Sequence, residues 1–345
     1  MSLLIDQIAD LTELRDRDAL DVALVRMLSS VLPARGHQLT IYRPVGDESD
    51  LRWLHALRFT SGASLPVVTA PPVPVDSLPK VTEMAALYEA IQSGKPVTST
   101  GGACVTVLPI SALHVGLGVL QVDTDSALSP ELVEHLRAIL RIYHNFYGLL
   151  DYGERDSLTN LLNRKTFDGT FLKRTLALRP AAVVTRDERR GADKSVGHWL
   201  GVLDIDHFKR VNDNFGHLIG DEVLILMAQL MRSSFRFDDT IYRFGGEEFA
   251  VLIRCDTEPH AVAAFERFRA SAEARMFPQV GQITVSIGIT ALRPDDTPSA
   301  AFERADKAVY YAKGHGRNQV CNFHDLVRLG HAQDDSAGDT DAEFF

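Results

Sequence analysis

Two stretches of this sequence place carboxylates inside runs that would otherwise read as apolar strands. One is IYRFGGEEFAVLI, from Ile241 to Ile253, and the other is WLGVLDIDHF, from Trp199 to Phe208. In the first, apolar residues flank Gly245, Gly246, Glu247 and Glu248, which predicts two short strands joined by a tight Gly-Gly turn. In the second, strand alternation sends Asp204 and Asp206 to one face. Leaving Glu247 and Glu248 buried and unpaired would cost on the order of several kcal/mol per ion. Something positive is therefore expected beside them. If the hairpin lies next to the aspartate strand, Glu247 comes near Asp204. With the backbone carbonyl of Ile205, these form a hard-oxygen site suited to Mg²⁺. For Asp206 and Glu248 the alternative is a strand-end acid bonded to a helix N-terminus or to a basic residue. Gly245 and Gly246 admit backbone conformations closed to other residues and leave no side chain between the turn and a ligand, although an ordinary hairpin turn uses them equally well.

Further polar residues cluster just after the aspartate strand. Asn212 falls at the start of a predicted helix, and Asp221 lies in GHLIGDE at the top of the next. A carboxylate accepts from two adjacent donors, as a guanine edge presents them, and an Asn amide donates or accepts beside it; as bare residues, either is equally a helix cap. Lys313 and Arg317 sit in AKGHGRN, and Lys209 follows the aspartate strand. Basic side chains there would neutralise phosphates, while on exposed helices they are usually just solvated. Arg236 and Asp239, in RFDD, have the form R-x-x-D a few residues before the Gly-Gly turn.

The elements that must position these residues fill the second half of the chain. The first half reads differently. From Leu3 to Leu32 the apolar residues recur at helical spacing, with Pro33 and Gly36 as the stop. Strand-like runs follow in QLTIYRP and RWLHALRF, and then comes the proline-rich loop PVVTAPPVPVDSLP. TEMAALYEAIQSG predicts a short helix ended by Gly94. ACVTVLPI and HVGLGVLQVD read as neighbouring strands, and Ser129-Pro130 opens a long helix. Along that helix Leu132, Leu136, Ile139, Tyr143, Phe146 and Leu150 alternate steps of four and three, the seam of a coiled coil. A helix packed on its own domain carries a similar stripe; the coiled coil is the favoured expectation.

Taken in order, DSLTNLLNRKTFD, LDIDHFKRVNDNFGHLIGDEVL, the Gly-Gly hairpin, ITVSIGIT and RADKAVYYAKGHGRNQV strongly resemble the GGDEF family of diguanylate cyclases, over about residues 154 to 323. The resemblance implies an α/β (α+β) domain with a central, mainly antiparallel sheet like a polymerase palm. It implies that two GTP molecules, one per domain of a facing pair, condense to cyclic di-GMP and two pyrophosphates. By that resemblance Asp204, Ile205, Glu247 and Glu248 hold two Mg²⁺ per site, with Mn²⁺ as a substitute. Asn212 and Asp221 would bind guanine, while Phe208, Gly245 and Gly246 complete the GTP site. Lys313 and Arg317 would hold the terminal phosphates. Glu247 would orient or deprotonate the attacking hydroxyl, Lys209 would act in catalysis by helping to neutralise the triphosphate and leaving pyrophosphate, and Arg236 and Asp239 would bind the product as an inhibitor. The first half resembles a GAF sensory domain, carried by AIQSGKPV and HVGLGVLQVD, with a PAS-type domain as the alternative.

These readings divide the chain into a GAF-like domain (1–128), a coiled-coil linker helix (129–153), the GGDEF domain (154–323) and an acidic disordered tail (324–345). The linker helix and the GAF-like domain are expected to form a homodimer. The segment 179–198 is longer than the family's usual connection and is expected to be a surface loop. A receptor that binds GTP or cyclic di-GMP without turnover is the alternative function.

A net charge of −10 argues against a nucleic-acid-coating surface while leaving room for one compact basic pocket. Cys104, Cys255 and Cys321 are scattered, in no metal-ligand spacing, which fits a reducing compartment. His37, His55 and His114 are isolated, and ordinary packing is their expected role. No apolar run approaches the roughly 20 residues of a spanning helix. A soluble, cytoplasmic protein without a membrane partner is expected.

Overall fold

The computed structural model describes residues 2–14, 16–46, 50–69, 75–100, 104–110, 117–178, 197–236 and 238–334. The chain divides into two units, Met1–Gly153 and Glu154–Phe345.

In the first unit, α1 (Ser2–Glu13) and α2 (Arg17–Val31) precede β1 (His37–Val45), β2 (Arg52–Thr60) and β3 (Val67–Val68). Next come α3 (Ala85–Ser93), β4 (Val97–Thr100), β5 (Cys104–Pro109), β6 (Val119–Thr124) and α4 (Pro130–Glu154). The strands form an antiparallel sheet in the order β3-β2-β1-β6-β5-β4. Alternation along the strands gives the sheet two apolar faces. Leu39, Ile41, Leu57, Leu120 and Val122 pack under α1, α2 and α4. Trp53, Val107 and Val119 pack under Leu87 and Ala90 of α3, which ends at Gly94 in the left-handed region.

Two expectations about this unit need correction. The single helix from Leu3 to Leu32 is two helices, because the Asp16 carboxylate accepts from the amides of Asp18 and Ala19 and so starts a new one. The stripe on α4 is not a free seam. Leu136, Ile139 and Tyr143 are fully buried in their own unit's core, and Leu132, Phe146 and Leu150 pack against it. A heptad stripe and a core-facing stripe share their spacing, and here the core takes it. Polar contacts fasten the same helix. Arg43 donates to both oxygens of Asp21 at 2.8 Å, the Tyr143 hydroxyl donates to Asp21, and Arg17 reaches Tyr147 and Asp151. His37 is a satisfied core histidine bonded to Ser29 and to the Pro33 carbonyl, whereas His114 lies outside the described residues.

In the second unit, β7 (Leu162–Asn163), α5 (Arg164–Leu178), β8 (Gly197–Ile205), α6 (Phe208–Phe215) and α7 (His217–Ser234) lead to the hairpin of β9 (Thr240–Gly245) and β10 (Glu248–Cys255). Then follow α8 (Glu258–Ala274), the small ribbon β11 (Met276–Phe277) and β12 (Gly281–Gln282), β13 (Val285–Ala291), α9 (Pro298–Gly314), β14 (Val320–Asn322) and α10 (Phe323–Arg328). The main sheet has the order β14-β13-β8-β10-β9-β7, antiparallel at its centre and parallel at both edges. Central β8 is nearly all apolar and buried on both faces, one under α7 and α8 and the other under α5 and α9. Acids at its end are thus held on a rigid platform.

The acidic tail expected from residue 324 begins instead as α10. Phe323 and Leu326 bury their side chains, Asn322 caps the helix, and Arg293 pairs with Asp334 at 2.6 Å. Two apolar residues ahead of the acidic run are enough to dock it; residues 335–345 lie outside the described residues. Of the long connection, Gly197 and His198 belong to β8, and 179–196 lie outside the described residues.

Candidate active site

The sheet register brings the carboxylates together. Glu248 pairs directly across from Asp204, and Ser286 of β13 faces Asp204 from the other side. A bulge between Glu248 and Phe249 lets the turn swing past the sheet end. Gly245 and Gly246 have φ of 148° and 51°, values that strain residues bearing a Cβ. The Ile205 amide donates to the Glu247 carbonyl at 3.4 Å, tying the turn to β8. Burial, joined by the charges of Asp206 and Asp306, raises the Asp204 pKa against the opposing pull of Lys313. Burial and then Asp204 likewise raise Glu247 and Glu248.

Lys313 supplies the positive group that the two glutamates called for. Its Nζ lies 2.7 Å from Asp204 Oδ2. Asp206 plays a different part. It accepts from Thr284, Ser286 and the Asn318 amide, so it ties β8 to β13 and to the loop after α9. Asp206 is thus a strand-end acid, held by two hydroxyls and a loop amide in place of the helix N-terminus or basic residue expected.

On α6 and α7, Asn212 and Asp221 are partly exposed, and neither caps a helix, since His207 and Gly216 occupy the cap positions. A Cβ on Gly220 would fall 2.0 Å from Asn212 Oδ1, so this glycine lets α7 close on the Asn212 amide. The Phe208 ring is core, which leaves its backbone alone to meet a ligand. Lys209 and Arg317 are exposed, and Arg317 adopts φ 61° just past α9. Away from this end, Arg236 and Asp239 close a turn before β9. The Arg236 amide donates to Asp239 Oδ2 at 2.8 Å, the guanidinium is exposed, and burial raises the Asp239 pKa.

Comparison with known proteins decides what kind of domain holds this cluster. A sequence model of the family "Diguanylate cyclase, GGDEF domain" matches residues 154–319. Those residues form a GGDEF domain. Diguanylate cyclase DgcP of Pseudomonas aeruginosa is 44% identical over 168 residues, covering 48% of this chain and 23% of the relative. Response regulator PleD of Caulobacter vibrioides is 33% identical over 226 residues, covering 61% of this chain and 46% of the relative. The crystal structure of the coiled coil and GGDEF domain of DgcB from Caulobacter crescentus, in complex with c-di-GMP, is 30% identical and matches 56% of this chain and 97% of that one at a TM-score of 0.46. The chain thus spans less than half the length of the two curated relatives named here.

The donor set of the GGDEF domain fits a divalent cation. Asp204 and Glu248 face one another across the register with Glu247 next to them in the turn, each with its proton affinity raised first by burial and then by nearby acids. Such groups bind more protons folded than unfolded. Their ionisation therefore costs stability, and the cost grows as pH rises from the unfolded to the folded pKa. A cation shared by the three would relieve it. MgCl₂ is expected to raise the melting temperature at about pH 8 and to raise it less at about pH 4, where protons already relieve the repulsion. Scanning fluorimetry checks this, and an equal shift at both pH values, or an undiminished shift in Glu247→Gln, would remove the cation from the site.

Sequence reasoning overlooked two participants. Asp306 of α9 adds negative charge near Asp204 and Glu248, and Arg243 holds the hairpin turn. Both lie inside stretches that the sequence had singled out, as the acid of RADKAVYYAK and the base two residues before the glycines.

Proposed function

We propose that this protein is a diguanylate cyclase that condenses two GTP molecules into cyclic di-GMP and two pyrophosphates. The carrying observation is Glu248 set directly across from Asp204, with Glu247 beside it in the Gly-Gly turn and Lys313 against Asp204, inside a GGDEF domain. Asn212 and Asp221 read the guanine edge. Asp221 accepts from the N1 and N2 donors, and adenine, which lacks that pair, would leave the acid unpaired. Lys313, Arg317 and Lys209 meet the phosphates and the leaving pyrophosphate. Asp204, Glu247, Glu248 and the Ile205 carbonyl would hold Mg²⁺, or Mn²⁺ in its place. When bound, the cations neutralise phosphate charge and lower the pKa of the attacking hydroxyl. Glu247, whose raised pKa improves it as a proton acceptor, takes the proton of the 3′-hydroxyl as that oxygen bonds to the α-phosphorus of the facing GTP and the bond to pyrophosphate breaks. The purified chain should release pyrophosphate from GTP and not from ATP; no release from GTP, or equal release from both, contradicts the reading.

One domain supplies half a site, so two copies must face one another. The first unit serves as a GAF-like sensory unit, a reading supported by its antiparallel sheet with helices on both faces. The side of α4 that its core leaves outward offers a second stripe, Ala138, Ile142, Asn145, Leu149 and Tyr152, again in steps of four and three. Leu149 and Tyr152 are 69% and 82% exposed. That stripe is the proposed contact with a second copy, Asn145 fixing its register. No helix among the described residues is long and apolar enough to cross a membrane, and the proposed setting is the cytoplasm.

Arg236 and Asp239 form the proposed product site, one offering a bidentate fork and the other accepting from guanine donors. Cyclic di-GMP is expected to inhibit the unmodified protein at micromolar concentration. Arg236→Ala should keep the initial rate and accumulate far more product. A rate indifferent to added product would reduce R-x-x-D to a turn.

A further inference from the structure

Arg243 stands two residues before the glycines, on β9, with its side chain mostly buried. Its Nε and Nη2 donate to the Gly246 carbonyl at 3.2 and 2.9 Å, and its Nη1 donates to Asp156 Oδ1 at 2.9 Å. Asp156 is itself fastened. Its Oδ1 accepts from the Thr159 amide and hydroxyl at 2.8 and 2.6 Å, and its backbone closes a turn through Leu161 and Asn160. Although burial works against it, the bonds from Thr159 and Arg243 hold the Asp156 carboxylate below its ordinary range. Arg232 in turn grips the Thr159 carbonyl. A chain of charge-assisted bonds thus runs from the segment that enters the GGDEF domain to the peptide just before Glu247.

That peptide is where restraint matters. Two successive glycines with positive φ give the turn more torsional freedom than any other residue pair. The orientation of the Gly246–Glu247 peptide sets the direction in which the Glu247 side chain leaves the backbone. On one side the turn is held by the Ile205 amide, through a long 3.4 Å bond to the Glu247 carbonyl. On the other it is held by the Arg243 fork. We propose that Arg243 is a positioning residue for turnover, fixing the Gly246–Glu247 peptide so that the Glu247 carboxylate stays aimed at Asp204, and that Asp156 is the anchor that keeps Arg243 in place. The inference rests on the cyclase reading and extends it to two residues that touch neither base nor phosphate. A misplacement of about 1 Å at a reacting group can cost about a hundredfold in rate. Lysine, a point charge without the planar fork, replaces such a grip only in part.

The test compares the full chain with Arg243→Ala, Arg243→Lys and Asp156→Asn. The expected kcat for GTP falls at least about tenfold in Arg243→Ala, with KM within about threefold because Asn212 and Asp221 are untouched. Lysine should recover part of the loss. Asp156→Asn should lose less, and should add little when combined with Arg243→Ala, since both act on one linkage. Hydrogen exchange supplies a readout independent of activity. The Ile205 amide, which donates to the Glu247 carbonyl, should exchange faster in Arg243→Ala and Asp156→Asn while the rest of β8 and β10 keeps its protection. A purely structural role would lower the melting temperature and leave kcat per folded molecule unchanged. Full kcat in Arg243→Ala, or unchanged exchange at the Ile205 amide, overturns the proposal. If the parent chain releases no pyrophosphate from GTP, the cyclase reading falls by itself, and exchange still decides whether Arg243 holds the turn.

Discussion

Asp204→Asn and Glu247→Gln should each lower cyclic di-GMP synthesis at least about a hundredfold, the loss expected when a group acting directly on the transition state is removed, while the fold survives. The two halves of that expectation have one cause. Burial first, and then the charge of Asp204, raises the pKa of Glu247 and Glu248, while burial with Asp206 and Asp306 raises that of Asp204, so their ionised forms carry a cost that folding must overcome. Turning one of them into an amide of the same shape removes part of that cost, and the melting temperature should hold or rise. Asp204→Asn leaves Lys313 without its partner, but that side chain is about a third exposed and water can solvate it. Pyrophosphate release and a thermal melt on the same preparation check both halves. Full activity in either variant would sink the mechanism, whereas a large fall in melting temperature would make the acids structural.

A charge placed at Leu136 should act on stability, with any loss of association only following the loss of the fold. Leu136 is fully buried between α4 and the sheet of the first unit. Lys there must desolvate or break the core, and the expected cost exceeds about 4 kcal/mol, a large part of what holds a domain together. Leu136→Lys should therefore unfold the first unit, seen as early loss of circular dichroism signal and of hydrogen-exchange protection in α2 and α4. Leu149→Lys places the same charge on an exposed position of the same helix and should leave the unit folded while dissociating the proposed dimer. If Leu136→Lys folded normally and only lost its dimer, the inner stripe would be the seam after all.

The contrast between these two leucines shows what could be read in advance. Period and length located α4 and its apolar stripe, but a coiled-coil seam and a core-facing stripe obey nearly the same spacing, and only the sheet beneath Leu136, Ile139 and Tyr143 distinguishes them. The acid cluster was more legible. Alternation along β8 and the glycine turn led to Glu247 near Asp204 once the hairpin was set beside that strand, and the cost of burying the two glutamates called for a positive group; the register puts Glu248 directly opposite Asp204. That the positive group is Lys313, more than 100 residues away along the chain, follows from the packing of α9 and from no local pattern. Asp206 stayed open between ligand and strand-end acid because alternation assigns faces, not partners; Thr284 and Ser286 supply its partners. Arg243 went unread for the same reason, since its anchor Asp156 lies 87 residues earlier. Helix breaks set by one side chain, as at Asp16, are equally faint in a charged stretch.

The most direct test of the account uses an equal mixture of ordinary GTP and GTP labelled throughout its guanosine with heavy isotopes, incubated with the full chain and MgCl₂ and followed by mass analysis. Condensation of two GTP molecules predicts light, mixed and heavy cyclic di-GMP with the mixed species about twice as abundant as either other, two pyrophosphates released per product, and none of this with Glu247→Gln. Products containing a single guanosine, or no cyclic dinucleotide beside intact GTP, would contradict it.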